Sequence, residues 1–177
     1  LFLGADFAEL FVERHLSSSI NSLSEQVEAV KSGIDFGIGL RLVFGTKVLY
    51  GYTNKNDENE LKRIATELAA KDRRERRLDL QTFDFTQIHN AHSADIVLSS
   101  DYAVADKVEF LLAADRTARA VSDKISQTRG FCTQREQNIE IFNSEGLHRT
   151  DQRNYSRAGL TAIASDGSEQ ATGSWND

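Results

Sequence analysis

The sequence predicts an α+β fold: a mostly antiparallel sheet with two amphipathic helices packed on one face. Three observations predict it. Residues 37–44 alternate strictly, with Ile38, Leu40, Leu42 and Phe44 on one side and Gly37, Gly39, Arg41 and Val43 on the other, the period of a half-buried strand. Two later stretches switch to helical spacing. The chain as a whole runs sheet, helix, connector, helix, sheet, an order that favours antiparallel strands with segregated helices.

Taken in order, residues 1–4 (Leu-Phe-Leu-Gly) read as the end of a helix, with Gly4 as its C-cap. In residues 6–14, Ala8, Leu10 and Val12 alternate with Phe7, Glu9, Phe11 and Glu13, which predicts a first strand. Residues 17–24 alternate less regularly and predict a second, closed by a turn near Ser24-Glu25. Three extended segments follow, 27–30, 37–44 and 47–52, broken at Lys31-Ser32-Gly33 and at Gly45-Thr46. Gly33, Gly37 and Gly39 invite comparison with a phosphate-cradling loop, but such a loop needs a helix starting at its last glycine. A strand follows instead, so Gly37 and Gly39 are expected to mark a bulge or a close backbone approach.

Past Tyr52 the period changes. Asp57, with Glu60 three residues on, forms a capping-box-like start, and Leu61, Ile64, Ala65, Leu68 and Ala69 recur at helical spacing. The charged run 71–77 ends this helix. Cations suit a helix C-terminus and two acids interrupt the run, so it reads as a solvated end rather than a nucleic-acid patch. Residues 78–100 carry weak signals and are expected to form a connector across the surface. It holds His89 and His92, a pair short of the three protein ligands that a zinc site needs. A second helix is expected over 104–124, its stripe made by Val104, Val108, Leu111, Ala114, Ala118, Val121 and Ile125. Strands are then expected near 125–133, 138–142, 159–164 and 169–172. Asn143-Ser144-Glu145-Gly146 supplies one hairpin turn, and Asp166-Gly167 is a dipeptide favoured in two-residue hairpins. Strands plus helix over 1–77, the connector 78–100, and helix plus strands over 101–177 thus make up one domain.

Composition narrows the function classes. Hydrophobic residues at 40% and charged residues at 27% describe a folded chain with a core. No apolar run approaches the roughly 20 residues of a membrane span, and no secretory signal opens the chain, so the sequence reads as soluble and cytoplasmic. A net charge of -6 argues against a general nucleic-acid binder. Cys132 is the single cysteine, which excludes an internal disulfide and is read as a buried or inert side chain. There is no Met and no Pro, whereas usage of about 5% would predict roughly nine prolines. The chain also starts at Leu1 without an initiator, so it is expected to be a piece of a longer polypeptide; an intact mass equal to 19.8 kDa would contradict that.

Several segments together carry a resemblance. Gly4-Ala5-Asp6-Phe7-Ala8-Glu9-Leu10, the run from Val27-Glu28 through Gly33-Ile34-Asp35-Phe36-Gly37-Ile38-Gly39-Leu40-Arg41, the Tyr52-Thr53-Asn54 step, and Asn143-Ser144-Glu145-Gly146 followed by Asp151 and Arg153 resemble the N-terminal region of the TldD/PmbA family, also called modulators of DNA gyrase. The likeness covers nearly the whole chain and is closer to TldD than to PmbA; the proline-free connector departs from the family pattern.

The resemblance implies a two-subunit zinc metallopeptidase whose closed chamber admits peptides or unfolded segments. In that family two histidines of a His-Glu-x-x-x-His helix and a distant cysteine hold the zinc, and the glutamate acts as general base. This sequence contains no His-Glu pair, since its histidines occur as His15-Leu16, His89-Asn90, His92-Ser93 and His148-Arg149. No catalytic or metal-binding residue is therefore expected in 1–177, and the zinc-binding half is expected beyond Asp177. The chain reads as a noncatalytic N-terminal domain forming chamber wall, subunit interface and a peptide-pairing sheet edge. One rival is a domain of a metal-free, PmbA-like partner subunit. Another is a standalone enzyme using Asp151 beside His148 for acid–base work, which would need those groups to converge in a cleft.

Overall fold

In the computed structural model, residues 3–73, 86–88 and 97–177 are described. The strands are β1 (Phe7–Leu23), β2 (Gln26–Phe44), β3 (Lys47–Thr53), β4 (Thr86–Ile88), β5 (Ile125–Asn143), β6 (Leu147–Ser165) and β7 (Gln170–Asn176); the α-helices are α1 (Glu58–Ala69) and α2 (Val104–Arg119). Strand order in the sheet is β3-β2-β1-β5-β6-β4, with β7 added on β6. β2 with β3 and β6 with β7 pair antiparallel, whereas β4 runs parallel to β6. The α+β prediction holds.

Four strands are much longer than alternation predicts. The two segments expected over 6–14 and 17–24 are one strand, and Lys31-Ser32-Gly33 lies inside β2 rather than in a turn. Likewise 125–133 and 138–142 merge into β5, and β6 starts at Leu147, 12 residues before the expected strand. Alternation shows only where one face is buried, and β2 from Gln26 to Asp35 is exposed at every position but Ala29. The connector expected over 78–100 contains β4 and a short 3-10 turn, Ser99–Asp101. The helix expected over 104–124 stops at Arg119; Val121 is 80% exposed and Ile125 opens β5. Helical spacing carried the stripe past the end of the helix. Leu3 and Gly4 both have positive φ, as a glycine turn requires; the helix expected before them falls outside the described residues.

The chain divides into two compact units that share the four long strands. Unit 1 comprises residues 1–15, 35–94 and 137–152. Its core is apolar: Leu40, Leu42 and Phe44 of β2, Ala5 and Ala8, and Ile64, Ala65, Leu68 and Ala69 of α1 form one buried cluster. The helix forms there because Asp57 caps it, its carboxylate accepting the Glu60 N–H at 2.8 Å. The uncovered polar side carries Glu58–Lys62 and Glu60–Arg63–Glu67 ion pairs. Gly51 of β3 lies beneath the helix, and a Cβ there would stand 2.6 Å from Ile64 Cγ2. The expected close approach at Gly39 exists, but a side chain makes it: a Cβ would overlap the Tyr50 ring. Gly37 meets only ordinary contact.

Unit 2 comprises residues 16–34, 95–136 and 153–177. It buries Ile20 and Leu111, but also Ser22, Asp115, Thr128 and Glu136. Asp115 of α2 is fully buried. It accepts the Thr128 hydroxyl on one oxygen and the Glu25 N–H at 2.8 Å on the other. That second bond clamps the β1–β2 turn, where Ser24 and Glu25 both have positive φ, the conformation of a two-residue hairpin turn that non-glycine residues adopt only at a cost. Thr128 O accepts the Ser24 N–H, and Arg119 pairs with the Glu25 carboxylate at 3.3 Å. Glu136 accepts the Ser100 N–H at 2.9 Å, which fastens the 3-10 turn.

Candidate functional site

A concave surface lies in unit 2, along α2, β6 and β7. Phe110, Leu111 and Ala114 of α2 form one side of an open groove of about 430 Å³. Gly159, Leu160 and Ala162 of β6 line its floor, and Gly173 with Trp175 of β7 the far side. Ala162 and Gly173 put little side-chain bulk into it. A second hollow of about 600 Å³ shares Phe110, Ala158 and Trp175, and adds Lys107, Cys132, Arg157 and Asp177. One part of the surface is therefore apolar and the other mixed in charge. Phe110 and Trp175 are 60% and 62% exposed, large apolar side chains left in water beside it.

Strand β7 is exposed along all seven residues. Ala158 and Asp177 exchange both backbone hydrogen bonds, at 2.9 and 3.0 Å, so they form a hydrogen-bonded antiparallel pair. With the register Leu160↔Trp175 and Ala162↔Gly173, the odd-numbered residues of β7 turn their N–H and C=O toward β6. Gln170, Thr172, Ser174 and Asn176 turn theirs outward. No other described strand pairs with β7, so this row of donors and acceptors faces outward unpaired by any described strand.

The residues singled out in the sequence scatter. Cys132 borders the second hollow; burial pushes its thiol above the ordinary value of 9.0 while Lys107 pulls the other way, the opposite of an activated nucleophile. His148, on β6 in unit 1, stacks on Phe142 with ring centres 4.3 Å apart and places Nε2 2.6 Å from Glu140 Oε1. Asp151 is three residues along the same strand, a spacing that sends side chains to opposite faces. The acid–base pair suggested by His148-Asp151 is thus replaced by His148–Glu140, a partner eight residues away across a hairpin that linear proximity cannot show. His15 is half-buried on β1 with Nε2 unpartnered. His89 and His92 lie outside the described residues, as does most of the charged run, 74–77. Among the described residues no three His, Cys, Asp or Glu side chains converge as metal ligands would, so none is assigned to zinc. No helix among them is long and apolar enough to cross a membrane. The β7 edge and its groove were missed; the one signal was a seven-residue extended run, 170–176, without charge or proline.

Comparison with known proteins adds to this geometry. Residues 8–71 match the model of PmbA/TldA metallopeptidase domain 1, and residues 98–177 that of the PmbA/TldA metallopeptidase central domain. Similar solved structures include a putative modulator of DNA gyrase from Thermotoga maritima, with a TM-score of 0.76 and 13% identity over 97% of this chain and 39% of that one. Another, from Bacteroides thetaiotaomicron, gives 0.71 and 13% over 98% and 40%. TldE from Thermococcus kodakarensis gives 0.61 and 12% over 98% and 40%. At these identities the likeness is one of fold, and the chain spans about 40% of the length of those proteins. No curated protein matches.

Proposed function

From the premise that this chain belongs to the PmbA/TldD metallopeptidase family, we propose that it is the noncatalytic N-terminal region of a TldD-like zinc metallopeptidase. The parent would degrade or process peptides and unfolded segments in the cytoplasm, with its zinc-binding residues beyond Asp177. In this reading residues 1–177 form part of the chamber wall and of the interface with a second, TldD- or PmbA-type subunit, and offer a sheet edge to substrate.

The observation that carries the reading is the open β7 edge beside an apolar groove. Main-chain hydrogen bonding to a strand edge holds polypeptides with little regard to sequence, as a peptidase of broad specificity requires. The outer part of β2, where Val27, Val30 and Ile34 are exposed, suits a subunit contact. A second reading makes the parent a metal-free, PmbA-like partner subunit, and a structure named TldE is among those that share this fold. A His-Glu-x-x-x-His motif in the parent excludes that alternative, and its absence selects it. Removal of residues 1–177 from the parent tests the scaffold role. Loss of subunit assembly and peptide capture is expected; a truncated parent that still assembles and captures peptide would refute it.

A further inference from the structure

We propose that α2 is a movable wall: it seats on the sheet through Leu111, is latched to the β1–β2 turn through Asp115, and lifts as one unit while the rest of the sheet stays folded. The inference is independent of the peptide-holding role above.

The seat is small. Of the 16 residues of α2 only Leu111 and Asp115 are buried, whereas α1 buries Ile64, Ala65, Leu68 and Ala69. The aspartate cap that starts α1 has no counterpart at Ala103, where α2 begins without a side-chain cap. Thr128, Gly130 and Cys132 alternate onto one face of β5, the face that meets α2. Leu111 lies so close to Gly130 that a Cβ there would stand 2.7 Å from its Cδ1, and 2.6 Å from Ser22 Oγ.

The latch is polar. Asp115, one turn beyond Leu111, accepts from the Thr128 hydroxyl and the Glu25 N–H. When a helix lifts, buried apolar area is lost outright, but a carboxylate, a hydroxyl and an amide exchange their mutual bonds for bonds to water. A seat of one leucine and one carboxylate therefore opens at less cost than the four apolar residues of α1. Two further groups gain from opening: Ser22 Oγ and Arg119 Nη1 are buried without a protein partner, and lifting α2 hydrates them. The turn side of the latch is strained, since Ser24 and Glu25 hold positive φ, a conformation that persists where surrounding contacts enforce it. Asp115 supplies such a contact, so turn and helix let go together. The molecule carries its own probe of this motion. Cys132, its single cysteine, shares a hollow with Lys107 and Phe110 of α2 and is partly buried there.

The test is the rate at which Cys132 of the 177-residue chain reacts with N-ethylmaleimide, followed by intact mass from zero to subdenaturing urea. Asp115→Ala leaves both latch partners unpaired and is expected to raise the rate at least about tenfold. Gly130→Ala, which prises Leu111 from its seat, and Thr128→Val, which removes one donor, should raise it too; they carry the test if Asp115→Ala does not fold. Leu42→Ala, which weakens unit 1, should leave the rate in zero urea within about twofold of wild type. Urea should raise the rate far less steeply than it raises the unfolded fraction. Amides of α2 should lose hydrogen-exchange protection in step with the thiol, and those of β7 should keep theirs. A rate that Leu42→Ala raises as much as the unit 2 variants would mark global unfolding and overturn the proposal. So would equal rates in wild type, Thr128→Val and Gly130→Ala, or loss of protection in β7 rather than α2.

Discussion

The two compact units are built on the same four long strands but held by different forces. Unit 1 buries nine apolar residues in one cluster under a capped, amphipathic helix. Unit 2 buries two carboxylates, and its helix has no side-chain N-cap and leaves Phe110 in water. A non-directional apolar core tolerates small shifts in position, because its strength follows the area removed from water. A buried carboxylate fixes the groups that donate to it, because leaving either unpaired is costly. The second arrangement positions a turn and a helix while leaving Phe110 and Trp175 largely in water, and the groove and the outer β7 edge both lie in that unit.

Mutations can break the contrast. Leu42→Ala, at a fully buried site in unit 1, should cost about 2–5 kcal/mol of unfolding free energy in a urea titration. Asp115→Ala in unit 2 should cost about 1–3 kcal/mol for each partner left unpaired, namely the Thr128 hydroxyl and the Glu25 N–H. It should also abolish hydrogen-exchange protection at the Glu25 amide, which Leu42→Ala leaves in place under native conditions. Equal loss of that protection in both variants would show that the clamp has no local role.

The same small substitution in each unit sharpens the comparison. Gly51→Ala drives a methyl to 2.6 Å from Ile64 Cγ2 and should destabilise by about 1–3 kcal/mol. Gly173→Ala enters open space and should be neutral or stabilise by up to about 1 kcal/mol, through a less flexible unfolded chain. The smallest effect belongs to the β6–β7 loop. The Asp166 carboxylate accepts the N–H groups of Glu169 and Ser168, which hold its pKa below the ordinary 3.8. A folded value below the unfolded one stabilises the loop above pH 3.8, and this is lost as pH falls through the folded value. A titration of the Asp166 side chain by NMR should show the lowered midpoint, and Ser168→Ala, which removes the hydroxyl donor, should bring it closer to 3.8.

The same division explains what could be read in the sequence. Residues 37–44 alternate because α1 covers one face of β2, and α1 itself is legible from Asp57 and its stripe. The first half of β2 and the first part of β6 carry no alternation, since most of their residues meet water on both faces. Asp115 lies four residues after Leu111, so a carboxylate in the apolar stripe was a visible signal, but Ala114 fits the hydropathy pattern better. The loop at Asp166-Gly167 is a hairpin as expected, yet it has four residues, because Asp166 takes up the following amides and Ser165 pairs with Gln170. An open edge has no hydropathy signature at all: it is defined by which backbone groups its neighbour leaves unused, and that needs the register.

Metal content, measured by elemental analysis on the 177-residue chain and on the full-length parent, with peptide hydrolysis followed in each with and without a chelator, tests the scaffold reading most directly. Zinc and chelator-sensitive cleavage in the parent alone is the predicted result. Stoichiometric zinc, or cleavage, in the 177-residue chain would contradict it and direct attention to His89, His92, Cys132 and His148.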